Sequence, residues 1–381
     1  MTKALQLARL FKARGFRVIL AETKKYRLTA HRFSLAVDEF VVIPSPREGQ
    51  EIYTEGLVAA VKDAQADIFL PVASPLASVY DAKAHEALSA HCQVLHWDAR
   101  RAEILDDKEQ FCRQAAEYNL PSPKVFRITD RQQLETFPFQ EHANPFILKS
   151  IPYDSVTRLD LRTLPHENLS ERLDQLEINE EHPWVLQEFV RGREYCTHGT
   201  MIDGTLSLYC CCASSPFQVN YQHEDLPKIE AWVTQFAERF GGTGQASFDF
   251  IVTNDGEVRP IECNPRTHSA ITAFHANSEA ANAYLKAPAD APLKPPADHR
   301  PTYWIAHEVW RFLKNPVGGF STFLQRLTQE KEAVWSLNDP LPFFMLHHIH
   351  IPFLLWEALI KGKDWVRIDF NIGKLVEPGG D

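Results

Sequence analysis

Residues 247–266, SFDFIVTNDGEVRPIECNPR, restrict what this chain can fold into more tightly than any other stretch. Two alternating apolar runs flank Asp255-Gly256, a dipeptide that favours a two-residue β-hairpin turn. A turn of that length places Asp249 directly opposite Glu262. Side-chain alternation then puts Asn264 on the face of Glu262 and sends Phe248, Phe250 and Val252 to the other side with Ile261 and Cys263. One face is core, and the other carries two carboxylates and an amide. Like charges directly opposite destabilise a ladder, so the pattern demands a cation. An all-oxygen donor set suits magnesium bridging phosphates better than zinc. Read alone, the segment could also be a surface hairpin with two solvated acids.

The remaining composition narrows the context. A chain of 381 residues has room for about two to three domains and needs no disulfide or metal staple to build a core. Forty Lys and Arg against fifty Asp and Glu give a net charge of −10 with no basic block, which argues against a nucleic-acid partner, since that needs a basic stripe. Seven cysteines, with no CxxC pair, fit a reducing cytoplasm better than a secreted disulfide framework. Residues 1–15 carry an amphipathic helix pattern (Ala4, Leu7, Ala8, Leu10, Phe11) rather than the continuous apolar core of a signal peptide. The nearest approach to a membrane span, residues 341–360, contains Pro342, His347, His348, His350, Pro352 and Glu357 and reads as too polar to cross a bilayer. It is expected to pack on the body of the protein or on a second subunit of a homodimer. Cys210, Cys211 and Cys212 alternate faces on a strand and cannot converge on one ion, and the three histidines lack an acidic partner nearby; both groups read as structural.

Along the chain, helix and strand signals alternate over residues 1–98, the pattern of a parallel-sheet α/β domain, although a helix opens the chain where a first strand is expected. Residues 99–287 begin with a helix at Lys108 and turn to strands at 146–150, 184–190, 195–202, 205–212, 247–252 and 258–263. Within them lies a helix whose one face carries Ile229, Trp232, Val233, Phe236, Ala237 and Phe240. Pro288, Pro292, Pro295, Pro296 and Pro301 mark a linker over 288–301, and residues 302–381 form an aromatic-rich accessory segment.

With its flanks, the hairpin resembles the ATP-grasp superfamily over about residues 107–274, which implies an α/β composite with an N-terminal domain ahead of the nucleotide fold. The resemblance implies ATP and two magnesium (or manganese) ions held by Asp249, Glu262 and Asn264. Arg266 of the following NPR would lie on the transferred phosphate, where a guanidinium stabilises developing charge. Lys108 in DDKEQF and Lys149 in FILKS match the lysines that neutralise ATP phosphates. WVLQEFVRGREY matches the hinge, with Gln187, Glu188, Phe189 and Val190 at the adenine and Glu194 at the ribose. A regular strand would put Glu188 and Glu194 on one face, with Gly192 as its point of interruption. One departure stands out: the phosphate-covering loop of the family is glycine-rich, whereas SIPYDSVTR here has no glycine, so hydroxyls and Arg158 would replace bare amides.

The segments ILKSIPYDSVTRL, QEFVRGREYCTHGT, SSPFQVNY, IECNPRTHSAITAF and RIDFNIGKLVEPGGD together resemble the mycosporine-glycine synthase family of ATP-grasp ligases, across nearly the whole chain. This implies phosphorylation of an enol oxygen of 4-deoxygadusol, a cyclohexenone, followed by displacement of phosphate by the amine of glycine. The small-molecule acceptor pocket is expected to draw on Tyr153, Arg158, Gln218, Asn220, Arg266, His268 and Ser269, with Ser74 at the crevice where α/β sheets place ligands. His268 could orient or deprotonate a substrate. Two other functions share the nucleotide residues: a ligase that activates an ordinary carboxylate as an acyl phosphate, and a regulatory protein that binds nucleotide without turnover.

Overall fold

The computed structural model describes residues 1–72, 75–152, 162–166, 169–214, 220–288 and 290–376. Helix α1 (Thr2–Ala13) leads into two parallel strand pairs, β1 (Ile19–Thr23) with β2 (Glu39–Ile43) and β3 (Ile68–Phe69) with β4 (Gln93–Val94). The Gln50–Asp63 helix covers them by burying Tyr53, Leu57 and Val61 against Ile43 and Val94. The expected parallel arrangement is present, drawn as two short ladders.

Two four-stranded antiparallel sheets follow. The first has the order β5 (Val125–Ile128), β8 (Trp184–Glu188), β6 (Phe146–Ser150), β7 (Thr163–Leu164). The second has the order β10 (Thr205–Ala213), β9 (Arg193–Ile202), β11 (Gly244–Val252), β12 (Val258–Asn264). β9 and β10 meet through Asp203-Gly204, both at positive φ (49° and 81°), the geometry of a type I′ turn. The sequence reading ran a single strand from residue 184 to 190. In the structure β8 ends at Glu188 and the chain crosses to the other sheet through residues 189–192. Gly192 permits the crossing, because a Cβ there would lie 2.1 Å from the carbonyl oxygen of Val252.

The second sheet has two differently covered faces. On one, the Pro227–Phe240 helix buries Ile229, Trp232, Val233, Phe236, Ala237 and Phe240 against Phe248, Phe250, Tyr209 and Cys211, together with Phe111. On the other, α1 and the C-terminal segment close over Leu208, Cys210 and Cys212; Leu5, Leu7 and Leu10 share a cluster with Trp304, Val334, Leu346 and Ile351. The proline-rich stretch lies along the outer edge of β10, with Leu293 N–H on the Ser207 carbonyl (2.9 Å) and Tyr209 N–H on the Leu293 carbonyl (2.9 Å). An otherwise bare strand edge is thereby paired.

Further on come β13 (Thr302–Tyr303), the helices Ile305–Lys314 and Pro316–Gln329, β14 (Lys331–Glu332) parallel to β13, and the hairpin β15 (Arg367–Asp369) with β16 (Lys374–Val376). Trp310, Leu313, Val317 and Phe320 on the paired helices are exposed. Leu341–Ile360 is one helical stretch of 20 residues with mean hydropathy 1.4, long and apolar enough to cross a membrane by length and composition alone, a test that the core helix of a soluble protein also passes. Pro352 lacks the N–H that would bond back to residue 348, and a π turn at Leu346–His350 takes up the fault. Leu346, Ile351 and Leu354 of this stretch are buried in the protein.

Candidate functional site

Asp249 of β11 pairs with Glu262 of β12, as the hairpin reading requires, but by another route. Next to the turn the partners are Val252 with Val258, Ile251 with Arg259 and Phe250 with Pro260, so the loop is longer than two residues. It closes through Gly256 N–H on the Thr253 carbonyl and Thr253 N–H on the Glu257 carbonyl, both 2.9 Å. The register then shifts between Phe250 and Asp249, where Ile261 is the extra residue of a bulge. Pro260 has no N–H to continue the ladder at this point. The Ile261 carbonyl is taken by Nε2 of Gln187 at 2.9 Å, from the neighbouring sheet. A longer loop and a bulge thus offset each other, and Asn264 falls opposite Ser247 on the same run of pairs.

The acid face of this hairpin is polar and partly exposed while Phe248, Phe250 and Cys263 behind it are buried. Burial, then Glu262 and Glu194, push the Asp249 carboxyl well above its ordinary range, while Lys149 and Arg266 oppose the shift. Five predicted site residues therefore act on one another at this place. Nδ2 of Asn264 donates to Oε1 of Glu262 at 3.3 Å. Burial lowers Lys149, with Lys108 adding to the effect and Glu262 and Asp249 opposing it. Two facing carboxylates and an amide, backed by cations, fit a hard divalent cation that takes oxygen ligands. Among the described residues no group of three His, Cys, Asp or Glu side chains converges on a point, the cysteine run and the C-terminal histidines included.

Lys108 opens the Lys108–Glu117 helix, and its neighbours hold it there. The Asp107 carboxylate caps the helix through the N–H groups of Glu109 (2.9 Å) and Gln110 (3.1 Å) and receives Nη1 of Arg127 at 2.8 Å. Burial would raise Asp107, but the bonds from Arg127 and Gln110 hold it below the usual carboxylate range.

At the end of β8, Glu188 N–H goes to the Lys124 carbonyl (2.8 Å), while Lys124 N–H goes to the Glu188 carboxylate (3.0 Å) rather than to its carbonyl. Asn144 holds the other carboxylate oxygen at 2.8 Å. Phe189 N–H bonds the Pro145 carbonyl (2.8 Å), and Pro145 has no N–H to return. The carbonyls of Glu188 and Phe189 are thus left by the ladder at the crossing, where Val190 also lies. Gln187 is fully buried, its Nε2 on Ile261 and its Oε1 without a donor among the described residues. Glu194 lies on β9, in a different sheet from Glu188, so the two do not share one strand face as expected; it accepts from Ser214 Oγ at 3.0 Å.

The acceptor residues divide. Tyr153, Arg158, Gln218 and Ser74 lie outside the described residues. Asn220 faces the C-terminal segment, its Oδ1 accepting from Arg311 (2.7 Å) and its Nδ2 3.4 Å from Glu330. Arg266 and His268 lie on the loop after β12. His268 Nδ1 accepts from Ala270 N–H at 3.2 Å, which leaves the proton on Nε2. Burial, then His198, Lys3 and Arg266, hold its pKa well below the ordinary range, so the ring is neutral. Ser269 is buried, its Oγ accepting from Nδ2 of Asn371 at 2.7 Å. The sequence reading missed Lys3, which donates to the Thr267 carbonyl beside Arg266 (3.0 Å), and Asn371; a single lysine on an amphipathic helix carries no local signal.

No family model matches this chain, and no curated protein matches it. Solved structures do. Biotin carboxylase from Campylobacter jejuni, crystallised as a β-γ-ATP complex, superposes with a TM-score of 0.57 at 15% identity over 76% of this chain and 70% of that one. The L-amino acid ligase from Bacillus licheniformis gives 0.54 at 16% identity over 74% and 66%. N5-carboxyaminoimidazole synthetase from Staphylococcus aureus, complexed with ADP, gives 0.53 at 11% identity over 72% and 70%. At such identities the likeness establishes the fold, and that fold is ATP-grasp.

Proposed function

We propose that this chain is an ADP-forming ligase that phosphorylates the enol oxygen of 4-deoxygadusol with ATP and then joins glycine to the activated carbon. The observation that carries the reading is the facing of Asp249 and Glu262 with Lys149 and Arg266 in their field. Holding a nucleotide without turnover has no need of opposed carboxylates beside two cations, which disfavours a purely regulatory protein. Asp249, Glu262 and Asn264 would hold magnesium, which when bound neutralises phosphate oxygens and the charge that develops on them. Lys108 and Lys149 would lie along the phosphates and Arg266 on the phosphoryl in transfer. The Glu188 and Phe189 carbonyls suit the 6-amino group of adenine, where guanine carries an oxygen, so ATP should bind far more tightly than GTP in calorimetry.

The choice of acceptor rests on the narrower resemblance of the motifs. An enolised 1,3-dicarbonyl is a vinylogous carboxylic acid, so its phosphate is a vinylogous acyl phosphate. The amine of glycine adds to the ring carbon, the C–O bond breaks, and phosphate leaves with the former enol oxygen. Tyr153, Arg158, Gln218, Asn220, His268, Ser269 and Ser74 remain the proposed acceptor side, in a cytoplasmic enzyme whose seven cysteines are all free thiols. Substrate carrying heavy oxygen at the reacting position should pass the label to inorganic phosphate, with one ADP per product and no AMP; unlabelled phosphate refutes the phospho-enol route. The similarity to an L-amino acid ligase favours a second reading, activation of an ordinary carboxylate. That enzyme would turn over with simple carboxylates and ignore the cyclohexenone in the same assay.

A further inference from the structure

Lys3 is only 8% exposed, and its one hydrogen bond among the described residues is to a neutral group, the Thr267 carbonyl at 3.0 Å. Among the described residues no carboxylate forms an ion pair with it. The charges acting on it are mostly of its own sign: Arg266 and Lys374 oppose its protonation, and with burial as the main cause they bring it down to about 7, Asp369 alone pulling the other way. Asp369 is itself engaged, its Oδ1 accepting from the N–H groups of Asn371 (3.0 Å) and Ile372 (3.2 Å). The nearby rings of His268 and His198, both held neutral by burial, neither compensate the ammonium nor add to the positive charge around it. Burying an ammonium without a counter-ion is costly.

A second deficit lies against the same loop, residues 267–269. Asn371, 7% exposed, donates to Ser269 through Nδ2, but its Oδ1 is buried with no donor among the described residues. The residue is not there by loose packing: its carbonyl receives both the N–H (3.1 Å) and the Oγ1 (2.7 Å) of Thr2. The start of α1 and the β15–β16 turn thus clamp residues 267–269 from two sides, immediately after Arg266. An unfilled cation and an unfilled acceptor at one clamp describe a ligand that presents an anionic oxygen together with an N–H or O–H group.

We propose that Lys3 and Asn371 form a subsite for a small organic anion on the acceptor side of Arg266, the Lys3 ammonium taking the anionic oxygen and Asn371 Oδ1 an N–H or O–H of the same molecule. The proposal rests on the ligase reading for its placement. Two acceptors share this chemistry, an amino acid through its carboxylate and an enolised cyclohexenone through its enolate.

Calorimetric titration of glycine and of 1,3-cyclohexanedione into the full chain loaded with ADP and magnesium tests it and separates the sources. Lys3→Gln keeps a donor for the Thr267 carbonyl and removes only the charge. Whichever probe uses the subsite should bind this variant about tenfold or more weakly, with ADP affinity within about twofold of the parent, as expected if the loss is confined to the anion. If the probe is glycine, glycinamide should not distinguish the two proteins. Asn371→Ala should weaken the same probe, and it decides alone if Lys3→Gln lacks a cooperative melt. Equal affinity in parent and variants, or no binding of either probe to the loaded parent, overturns the subsite. If the parent binds no ADP, the ligase reading fails instead, and the same titrations on nucleotide-free protein judge Lys3 by itself.

Discussion

The two faces of the β9–β12 sheet are covered in opposite ways. On one, a single helix 14 residues long lays down six buried apolar residues against strands close to it in sequence, with Trp232 stacked on Phe236 at 5.2 Å and 9°. On the other, the cover comes from both ends of the chain, and polar contacts pin it in addition to an apolar cluster of its own. Arg9 of α1 bonds Asp339 Oδ2 (2.9 Å) and the carbonyls of Val334 and Asp339 (both 3.0 Å), and Ser34 and Leu35 complete the Asp339 carboxylate. The aromatic face supplies cohesion, since each large ring removes much apolar area from water. The polar face supplies position: hydrogen bonds fix a few groups where packing alone would leave latitude. The proposed acceptor subsite lies on the polar face, and the carboxylate pair lies where the sheet meets the proposed nucleotide side.

The largest expected effect tests whether the carboxylate pair is chemistry or scaffold. Glu262→Gln keeps shape and a partner for Asn264 while removing one charge from beside Asp249, so turnover should fall by about a hundredfold or more with little change in melting temperature. Steady-state ADP release with a parallel thermal melt measures both. Parental turnover would return the hairpin to a surface role.

Next are the covers themselves. Trp232→Ala removes a buried ring, and Phe236, Phe248 and Phe250 each lose one ring contact, so the expected loss is about 3–5 kcal/mol in urea unfolding. Asp339→Ala leaves the Arg9 guanidinium without its carboxylate in a mostly buried setting, at a cost of about 3 kcal/mol. The contrast sharpens in function: the tryptophan change should leave substrate KM values unaltered in folded protein, whereas the aspartate change, by loosening α1, should raise the acceptor KM. Equal behaviour of the two variants would remove the distinction between the faces.

Legibility in the sequence follows the same division. Helical periodicity predicted the Pro227–Phe240 face residue by residue, because every contact it needs is encoded within four turns. The strands and the Asp249–Glu262 opposition were also legible, although the opposition survives only because the Ile261 bulge offsets a longer loop, a correction no turn signal announces. The strand crossing at residues 189–192 was missed, since apolar runs do not say which sheet they join. Lys3, Asn371 and the Arg9–Asp339 clamp were missed for a more general reason. Their partners lie more than 100 residues away, and a local pattern holds no record of such pairings.

The smallest effect concerns pH, and it asks whether the aromatic face depends on the N-terminal lobe that abuts it. Ala82 of the Pro75–Lys83 helix belongs to the aromatic cluster, and Ser78 Oγ reaches the Pro265 carbonyl at 3.3 Å. Beside them, Asp81 is 2% exposed and accepts from Tyr53 OH at 2.7 Å, and its other oxygen has no donor among the described residues. Burial pushes its carboxyl up from 3.8 to about 7, with only the Tyr53 bond opposing. Below pH 3.8 folded and unfolded chains both hold this proton, and it contributes no difference. Between about 4 and 7 the folded chain keeps a proton that the unfolded chain has released, so stability falls as pH rises through that window. Above about 7 the full cost is present. Asp81→Asn removes the titration while keeping an oxygen for Tyr53, and should match the parent near pH 4 but exceed it at pH 8 by on the order of 2 kcal/mol. Urea midpoints measured from pH 4 to 8 check the sign. A parent curve that rises with pH at this site, or a variant curve parallel to it, would separate the lobe from the aromatic face.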